Sequence, residues 1–319
     1  MAGIWILGEN HDQTLELLTL AGQLTEQVGA QVTVLTWDNR AGAQEYIDCG
    51  ADQVLLMTSP ANDQPLEDYV PVITEEVRKT DPDIFLVAGT PRLKEMAARM
   101  AARLNTGLCS GCLSLQIDAA DKSLSMERLV YGGAAVQTVT CSTRPQMATI
   151  PPRTYPIAVP RGQREGQIRE LPAPSPGLIK IIDRKTRTRQ SVDITEARVL
   201  VCVGRGLENQ QDMQMVQELA EVMGAEIACT RPIAEEMHWL PEETYIGISG
   251  KQVKPDLYIG LGVSGQIQHV SGIRDARVIC AINRDENAPI FEVSDLGLVG
   301  DIYTILPELI KQLKQSMKK

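Results

Sequence analysis

The chain has 319 residues, of which 43% are hydrophobic, and a formal net charge of −10. This length allows two domains, each with a core of its own. The excess of carboxylates leaves no cluster of Lys and Arg for phosphate groups, so we expect no nucleic-acid partner. No apolar run approaches the length of a membrane span, and the first one, Ile4–Leu7, has no basic leader. We therefore expect a cytoplasmic protein without membrane insertion.

Strand-like apolar runs alternate with helix-like segments from the start of the chain to about Leu104. The strand-like runs cover residues 3–7, 31–36, 53–57 and 83–88. This alternation predicts a mainly parallel sheet flanked by helices, in a Rossmann-like α/β domain. The first helix is predicted over residues 14–28, with Asp12 as its N-cap and Gly29 at its end. A later helical segment has one apolar face, interpreted as core, with Leu93, Met96, Ala97, Met100, Ala101 and Leu104.

Short β runs are expected between residues 109 and 158, and they complete the first domain. The motif Cys109-Ser110-Gly111-Cys112 lies at their start. A metal site would need a second Cys or His pair close by, so these cysteines are interpreted as structural. Seven scattered cysteines, an odd number, also favour a reducing compartment over a disulfide framework.

A Pro-rich linker is predicted over residues 160–191, because its repeated prolines interrupt both helices and central strands. We place the domain boundary near Asp193, which gives a first domain of residues 1–193 and a second of residues 194–319.

The second domain repeats the α/β pattern. Strands are predicted over residues 198–203, 226–228, 257–261 and 277–282, with a helix over residues 213–223 that ends at Gly224. The last helix is amphipathic, and Pro307 predicts a break near Leu306. The face of this helix that we expect to be buried has Ile302, Leu306, Leu309 and Leu313.

Polar and Gly-rich motifs follow the predicted strands of the second domain. They are Gly204-Arg205-Gly206, Thr230-Arg231, Ser249-Gly250-Lys251, Ser264-Gly265-Gln266-Ile267-Gln268-His269 and Ile282-Asn283-Arg284-Asp285. Open α/β sheets bind ligands at the carboxyl ends of their strands, so these motifs predict a ligand site.

Two of these motifs also have a simpler interpretation. Gly204-Arg205-Gly206 could bind a pyrophosphate, but Asn209 stands where a dinucleotide fingerprint has its third glycine, and a tight turn without a ligand would look the same. An isolated Arg231 would equally fit a surface ion pair with Glu235 or Glu236.

Taken together, these motifs closely resemble those of the α subunit of electron-transfer flavoprotein, and a looser resemblance covers nearly the whole chain. The resemblance implies an FAD-binding second domain and a first domain that contacts a β subunit, which holds AMP or a second FAD. The residues that it places at the FAD are Arg205, Thr230, Arg231, Gly247, Ile248, Ser249, Gly250, Ser264, Gly265, Gln266, Ile267, Gln268, His269, Asn283, Asp301 and Ile302.

The resemblance also implies roles for five of these residues. Arg231 would lie over the flavin ring and favour its negatively charged reduced form. Ser249, in place of the family's usual Thr, would donate a hydrogen bond to flavin N5, and His269 would lie near N1 and the C2 carbonyl. Asn283 and Asp301 would hold the ribityl and adenosine portion, and Asp301 would also cap the last helix.

The implied function is that of an electron carrier in a heterodimer, which transforms no carbon substrate. Electrons would come from a flavoprotein dehydrogenase, such as an acyl-CoA dehydrogenase of fatty acid β-oxidation, and pass to a quinone- or ferredoxin-linked acceptor. The family usually has Gln where Ile248 stands, which leaves the redox potential and the partner open. Two alternatives remain: the α subunit of an electron-bifurcating, NADH-dependent flavoprotein, and a nucleotide-binding regulatory protein without redox activity.

Overall fold

The computed structural model describes residues 3–37, 39–118, 120–133, 135–160, 162–183 and 193–316. The chain forms two compact units, Met1–Lys185 and Thr186–Lys319. Each unit has a parallel sheet flanked by helices, so the predicted α/β class is confirmed. The domain boundary near Asp193 stays a prediction, because residues 184–192 lie outside the described part.

The first unit contains a parallel and an antiparallel sheet. Its strands are β1 (Ile4–Leu7), β2 (Val32–Thr36), β3 (Gln53–Leu56), β4 (Ile84–Ala88), β5 (Leu108–Ser110), β6 (Cys112–Ile117), β7 (Leu124–Val130), β8 (Ala135–Val139), β9 (Gln146–Ile150) and β10 (Gln167–Glu170). The parallel sheet has the order β10-β3-β2-β1-β4-β9-β5, and β6-β7-β8 form the antiparallel one. Strands β1, β2 and β4 are buried along their whole length, as expected for a sheet covered on both faces.

Among the residues that the structure describes, four α-helices flank the parallel sheet. They are α1 (His11–Val28), α2 (Arg40–Asp48), α3 (Val70–Thr80) and α4 (Pro91–Leu104). The predicted N-cap of α1 is wrong: Asn10 caps the helix, and its side chain accepts a hydrogen bond from the Gln13 amide, whereas Asp12 lies inside the first turn. The predicted core face of α4 is confirmed for Leu93, Met96, Ala97, Met100 and Ala101, which are buried, while Leu104 is only partly buried against the same core.

Part of the segment predicted as a linker belongs to the first sheet. Strand β10 pairs in parallel with β3, and Arg169 within it forms an ion pair with Glu76. The strand is possible because residues 167–170 contain no proline and add to the sheet at its edge. Further along, the Ile181 amide donates to the Asp63 carbonyl at 2.9 Å.

The second unit has a five-stranded parallel sheet. Its strands are β11 (Val199–Val203), β12 (Glu226–Cys229), β13 (Leu257–Leu261), β14 (Ile279–Asn283) and β15 (Leu296–Val299), and its helices are α5 (Met213–Met223), α6 (Ile267–Ile273) and α7 (Ile302–Ser316). The strand order is β12-β11-β13-β14-β15. Alternate residues of β11 face opposite sides, with Leu200 and Cys202 in one apolar cluster and Val201 and Val203 in the other.

The predicted break near Leu306 is wrong, because α7 continues through Pro307. A proline at this position removes a single backbone hydrogen bond, while Leu306 and Ile310 on either side are buried in an apolar cluster together with Val216 and Leu219 of α5. Packing on this face holds the helix together across the proline.

Cys109 and Cys112 are buried, and neither forms a disulfide. The Cys112 thiol donates to the Cys109 carbonyl at 3.4 Å, and burial raises the pKa of that thiol. Within the described ranges, no three or more His, Cys, Asp or Glu side chains are grouped as metal ligands would be. In the same ranges, no helix has both the length and the apolar character needed to cross a bilayer.

Candidate functional site

A cavity of about 610 Å³ lies in the second unit, at the carboxyl ends of β11, β12 and β13. The chain runs from β11 through α5 to β12 on one side, while β13 lies on the other side of β11. The connection therefore reverses between β11 and β13, which is where open α/β sheets bind their ligands. The volume is within the range typical of small-molecule sites, roughly 300–1,000 Å³.

The cavity wall contains many of the predicted residues. On it lie Arg205, Thr230, Arg231, Gly247, Ile248, Ser249, Ser264, Gln266, Gln268 and His269. Outside it lie Gly250, Gly265, Ile267, Asn283, Asp301 and Ile302. The motifs after the first three strands of the second unit are thus brought together, and those after β14 and β15 are not.

The glycines after β11 allow two backbones to approach each other. A Cβ on Gly204 would lie 2.3 Å from the Gly262 carbonyl oxygen, and one on Gly206 would lie 2.5 Å from the Gly262 Cα. The Gly206 amide donates to the same carbonyl at 3.1 Å. Close packing of the loops after β11 and β13 is therefore enough to require glycine here, as the simpler interpretation of this motif proposed.

Arg231 takes part in the ion pair that the sequence left as an alternative. Its Nε donates to Glu235 Oε2 at 2.5 Å, and its side chain is 64% exposed. This carboxylate raises the pKa of Arg231, so the guanidinium stays charged. With Arg205, the wall carries two guanidinium groups, which suit an anionic ligand.

His269 is buried, and both of its ring nitrogens contact protein atoms. Nδ1 lies 3.1 Å from the Ile246 carbonyl oxygen, and Nε2 lies 2.8 Å from the Tyr258 hydroxyl. A carbonyl oxygen only accepts, so Nδ1 carries the proton and Nε2 accepts from Tyr258. Burial lowers the pKa of His269 to about 4, so the ring is neutral at pH 7. Both ring nitrogens thus already have protein partners, and the expected position of His269 near N1 and the C2 carbonyl of the flavin stays a prediction.

The side chains of Asn283 and Asp301 each form hydrogen bonds with backbone groups. Asn283 donates from Nδ2 to the Val263 carbonyl at 2.8 Å and accepts from the Asp285 amide at 3.0 Å. Asp301 accepts from the Tyr303 amide at 2.9 Å, which is the capping role expected at the start of α7. Asn283 thus anchors the loop after β13 that forms part of the wall. Their contacts with a cofactor stay a prediction.

Gly265 is required by packing away from the cavity. It has a φ of +80°, and a Cβ there would lie 2.2 Å from the Ile290 amide nitrogen. The sequence motif therefore combines a structural glycine with side chains that do face the cavity.

Several wall residues were not predicted from the sequence. They are Pro232, Tyr245, Ile246, Gly262 and Val263. Gly262 and Val263 directly follow β13, so the strand-end rule could have found them. Tyr245 and Ile246 are held at the wall by isolated β-bridges, Tyr245 to Cys229 and Ile246 to Lys251. The apolar residues of this segment have no regular spacing, so the sequence gives no sign of these bridges.

The side chains of the wall fit a flavin nucleotide. Such a ligand combines a flat ring with polar edges and a phosphate-containing tail. The wall offers apolar surface from Ile248 and Pro232, hydroxyl and amide groups from Ser249 and Gln266, and the two guanidinium groups. All of these groups belong to the second unit.

Comparisons with known proteins agree with this arrangement. Residues 7–176 match the family model described as the electron transfer flavoprotein domain. Residues 193–274 match the model described as the electron transfer flavoprotein FAD-binding domain, and this range includes the whole cavity wall. The second match indicates flavin binding.

Similar proteins are found in enteric bacteria. Protein FixB from Escherichia coli O6:K15:H31 (strain 536 / UPEC) is 34% identical over 313 residues, which cover 97% of each chain. Protein FixB from Shigella flexneri is also 34% identical with the same coverage. The putative electron transfer flavoprotein subunit YdiR from Escherichia coli (strain K12) is 36% identical and covers 98% of each chain. The protein therefore belongs to the electron transfer flavoprotein family, as a subunit of the α type.

Proposed function

We propose that this chain binds FAD in the cavity of the second unit and works as the electron-carrying α subunit of a heterodimer. The observation that carries the proposal is the position of the cavity. It lies at the carboxyl ends of β11, β12 and β13, inside the range that matches the FAD-binding family model. A ligand there meets two cationic side chains, Arg205 and Arg231, and lies at the strand ends where open α/β sheets bind nucleotides.

In this proposal the protein binds and orients the cofactor, and the flavin supplies the redox chemistry. Arg205 and Arg231 attract the anionic parts of the ligand, and Arg231 also favours added negative charge on the ring. Glu235 holds the Arg231 guanidinium through the bond at Nε, which leaves the terminal nitrogens for the ligand. Ser249 contributes a hydroxyl, and Ile248 and Pro232 exclude water from the apolar part of the ring.

The partner would be a β subunit, since α-type members of this family pair with one. The β subunit would hold AMP or a second FAD. Electrons would pass from a flavoprotein dehydrogenase, for which acyl-CoA dehydrogenase is our first candidate, to a quinone- or ferredoxin-linked acceptor.

The test is to purify the chain together with its β subunit and to count bound nucleotides. We expect a yellow complex with one FAD and one AMP per heterodimer. Two FAD and no AMP would support the bifurcating alternative. A colourless complex that takes up no added FAD would contradict the proposal and favour a regulatory nucleotide-binding protein.

A pair of matched variants connects the FAD to the cavity. Arg231→Ala should weaken FAD binding, because the ligand loses a cationic contact. Arg198→Ala should leave it unchanged, because Arg198 also forms an exposed ion pair, with Asp256 at 2.8 Å, but lies directly before β11, at the opposite end of the strand from the cavity. Equal affinities in the two variants would place the FAD elsewhere.

A further inference from the structure

Tyr245 is held firmly in the cavity wall. Its side chain belongs to a buried apolar cluster with Cys229, Ile233 and Ala234. The backbone around it is fixed as well, since the Ile246 amide donates to the Cys229 carbonyl at 2.9 Å. The Lys251 amide donates to the Tyr245 carbonyl at the same distance, 2.9 Å. The position of the phenol ring is thus set by packing and by backbone hydrogen bonds.

The turn that carries Ser249 folds directly over this ring. A Cβ on Gly250 would lie 2.3 Å from Cε2 of Tyr245, so a side chain at position 250 would push the turn away. The Gly250 amide donates to the Gly247 carbonyl at 3.1 Å and closes the turn. This close approach brings Ser249 next to the phenol hydroxyl.

The Tyr245 hydroxyl donates to Ser249 Oγ at 3.0 Å. A serine hydroxyl has one proton and two lone pairs, and it can act as donor or acceptor as its neighbours require. When Oγ accepts from Tyr245, the proton of Ser249 is left for another acceptor. Ser249 is exposed on the cavity wall, so that acceptor can belong to a bound ligand.

We infer that Tyr245 is a positioning residue that fixes the Ser249 hydroxyl as a hydrogen-bond donor to an acceptor atom of the bound cofactor. This inference rests on the proposed FAD site. Without the phenol hydroxyl, Ser249 could rotate and would lose its preference for donating. The loss would appear in the affinity for FAD and in the absorption spectrum of the bound flavin, which responds to hydrogen bonds at its ring.

The test is a double-mutant cycle on the purified complex with its β subunit, with added FAD as the probe. The variants are Tyr245→Phe, which keeps the ring and its packing, Ser249→Ala, and both together. Each single change should weaken FAD binding by about 2- to 10-fold and shift the flavin absorption band in the same direction. The double variant should be no weaker than Ser249→Ala alone, within about twofold, because both changes remove one linked interaction.

Two controls separate positioning from general damage. Ser249→Thr keeps the hydroxyl and should retain the coupling to Tyr245. Tyr46→Phe also removes a phenol hydroxyl that contacts a side chain, His11 Nδ1 at 3.0 Å, but it lies in the first unit and should leave FAD binding and the spectrum unchanged.

A second measurement does not depend on phenylalanine. Incorporation of 3-fluorotyrosine at position 245 makes the phenol a stronger donor and should move the absorption band opposite to Tyr245→Phe. Additive losses in the cycle, an unchanged affinity and spectrum in Tyr245→Phe, or no opposite shift would overturn the inference and leave the FAD site standing. A wild-type complex that binds no FAD would overturn the proposed function and the inference with it.

Discussion

His269 connects the sheet to the loop that forms one side of the cavity. Tyr258, which donates to its Nε2, belongs to β13, and Ile246, which accepts from its Nδ1, belongs to the wall segment before Ser249. The Ile248 amide donates to the Gln268 carbonyl at 2.8 Å and joins the wall segment to α6, the helix that carries His269. A neutral histidine therefore fixes the shape of the wall.

This role predicts a pH dependence of stability. The pKa of His269 is lowered from 6.5 to about 4 in the folded protein, so the unfolded chain binds more protons between these values. Stability from this group is complete above pH 6.5 and is lost as the pH falls toward 4, by up to about 3 kcal/mol. We expect the free energy of opening, measured by hydrogen exchange at the β13 amides, to fall over this interval.

The matched control is His269→Gln, whose amide can still donate to Ile246 and accept from Tyr258 but does not titrate. Carboxylates contribute equally to both proteins, so the difference isolates His269. Parallel pH curves for wild type and variant would contradict the assignment.

At the scale of single residues, the sequence predicted which positions meet at the cavity better than it predicted their bonds. Arg231 and Glu235 are four residues apart, so their ion pair could be foreseen. The Tyr258 and Ile246 partners of His269 depend on contacts between separate segments. The bond between Tyr245 and Ser249 joins residues four apart, but in an irregular turn and not in a helix, so helical spacing does not predict it. Such contacts follow only from the packed fold.

At the scale of elements, α7 has a proline in its sixth position, and this proline lowers the stability of the helix by a measurable amount. Pro307→Ala would restore the hydrogen bond to the Tyr303 carbonyl, so we expect the free energy of unfolding of the second unit to rise by about 1–3 kcal/mol. Leu306→Ala, one residue earlier and on the fully buried face, should lower it by about 2–5 kcal/mol. Denaturant unfolding followed by hydrogen exchange of α7 would measure both. A destabilised Pro307→Ala variant would show that the helix depends on the proline.

In the second unit, the spacing of apolar residues predicted some helices and strands correctly and missed others. Helix α5 and strand β13 begin and end where the sequence predicts, because each has a clear apolar pattern and α5 ends at a glycine with φ 60°. Strand β15 was not predicted, since its residues are exposed at the sheet edge and lack the alternation of a half-buried strand. Strand β10 was missed for a similar reason, within a segment dominated by its prolines.

At the scale of the whole molecule, the chain combines two α/β units that match two different family models. Each unit matches its own part of the family, and every residue of the cavity wall belongs to the second. The α/β class of both units followed from the alternation of apolar runs. The cavity followed from the position of the motifs at strand ends, while its unpredicted residues come from the irregular segment between β12 and β13 and from the two positions directly after β13.

The most direct test of the central claim is a crystal structure of the purified complex with FAD bound. We predict that the flavin ring lies in the cavity at the ends of β11, β12 and β13, in contact with Arg231 and Ser249. A flavin bound to the first unit, or one that contacts neither of these side chains, would contradict the account.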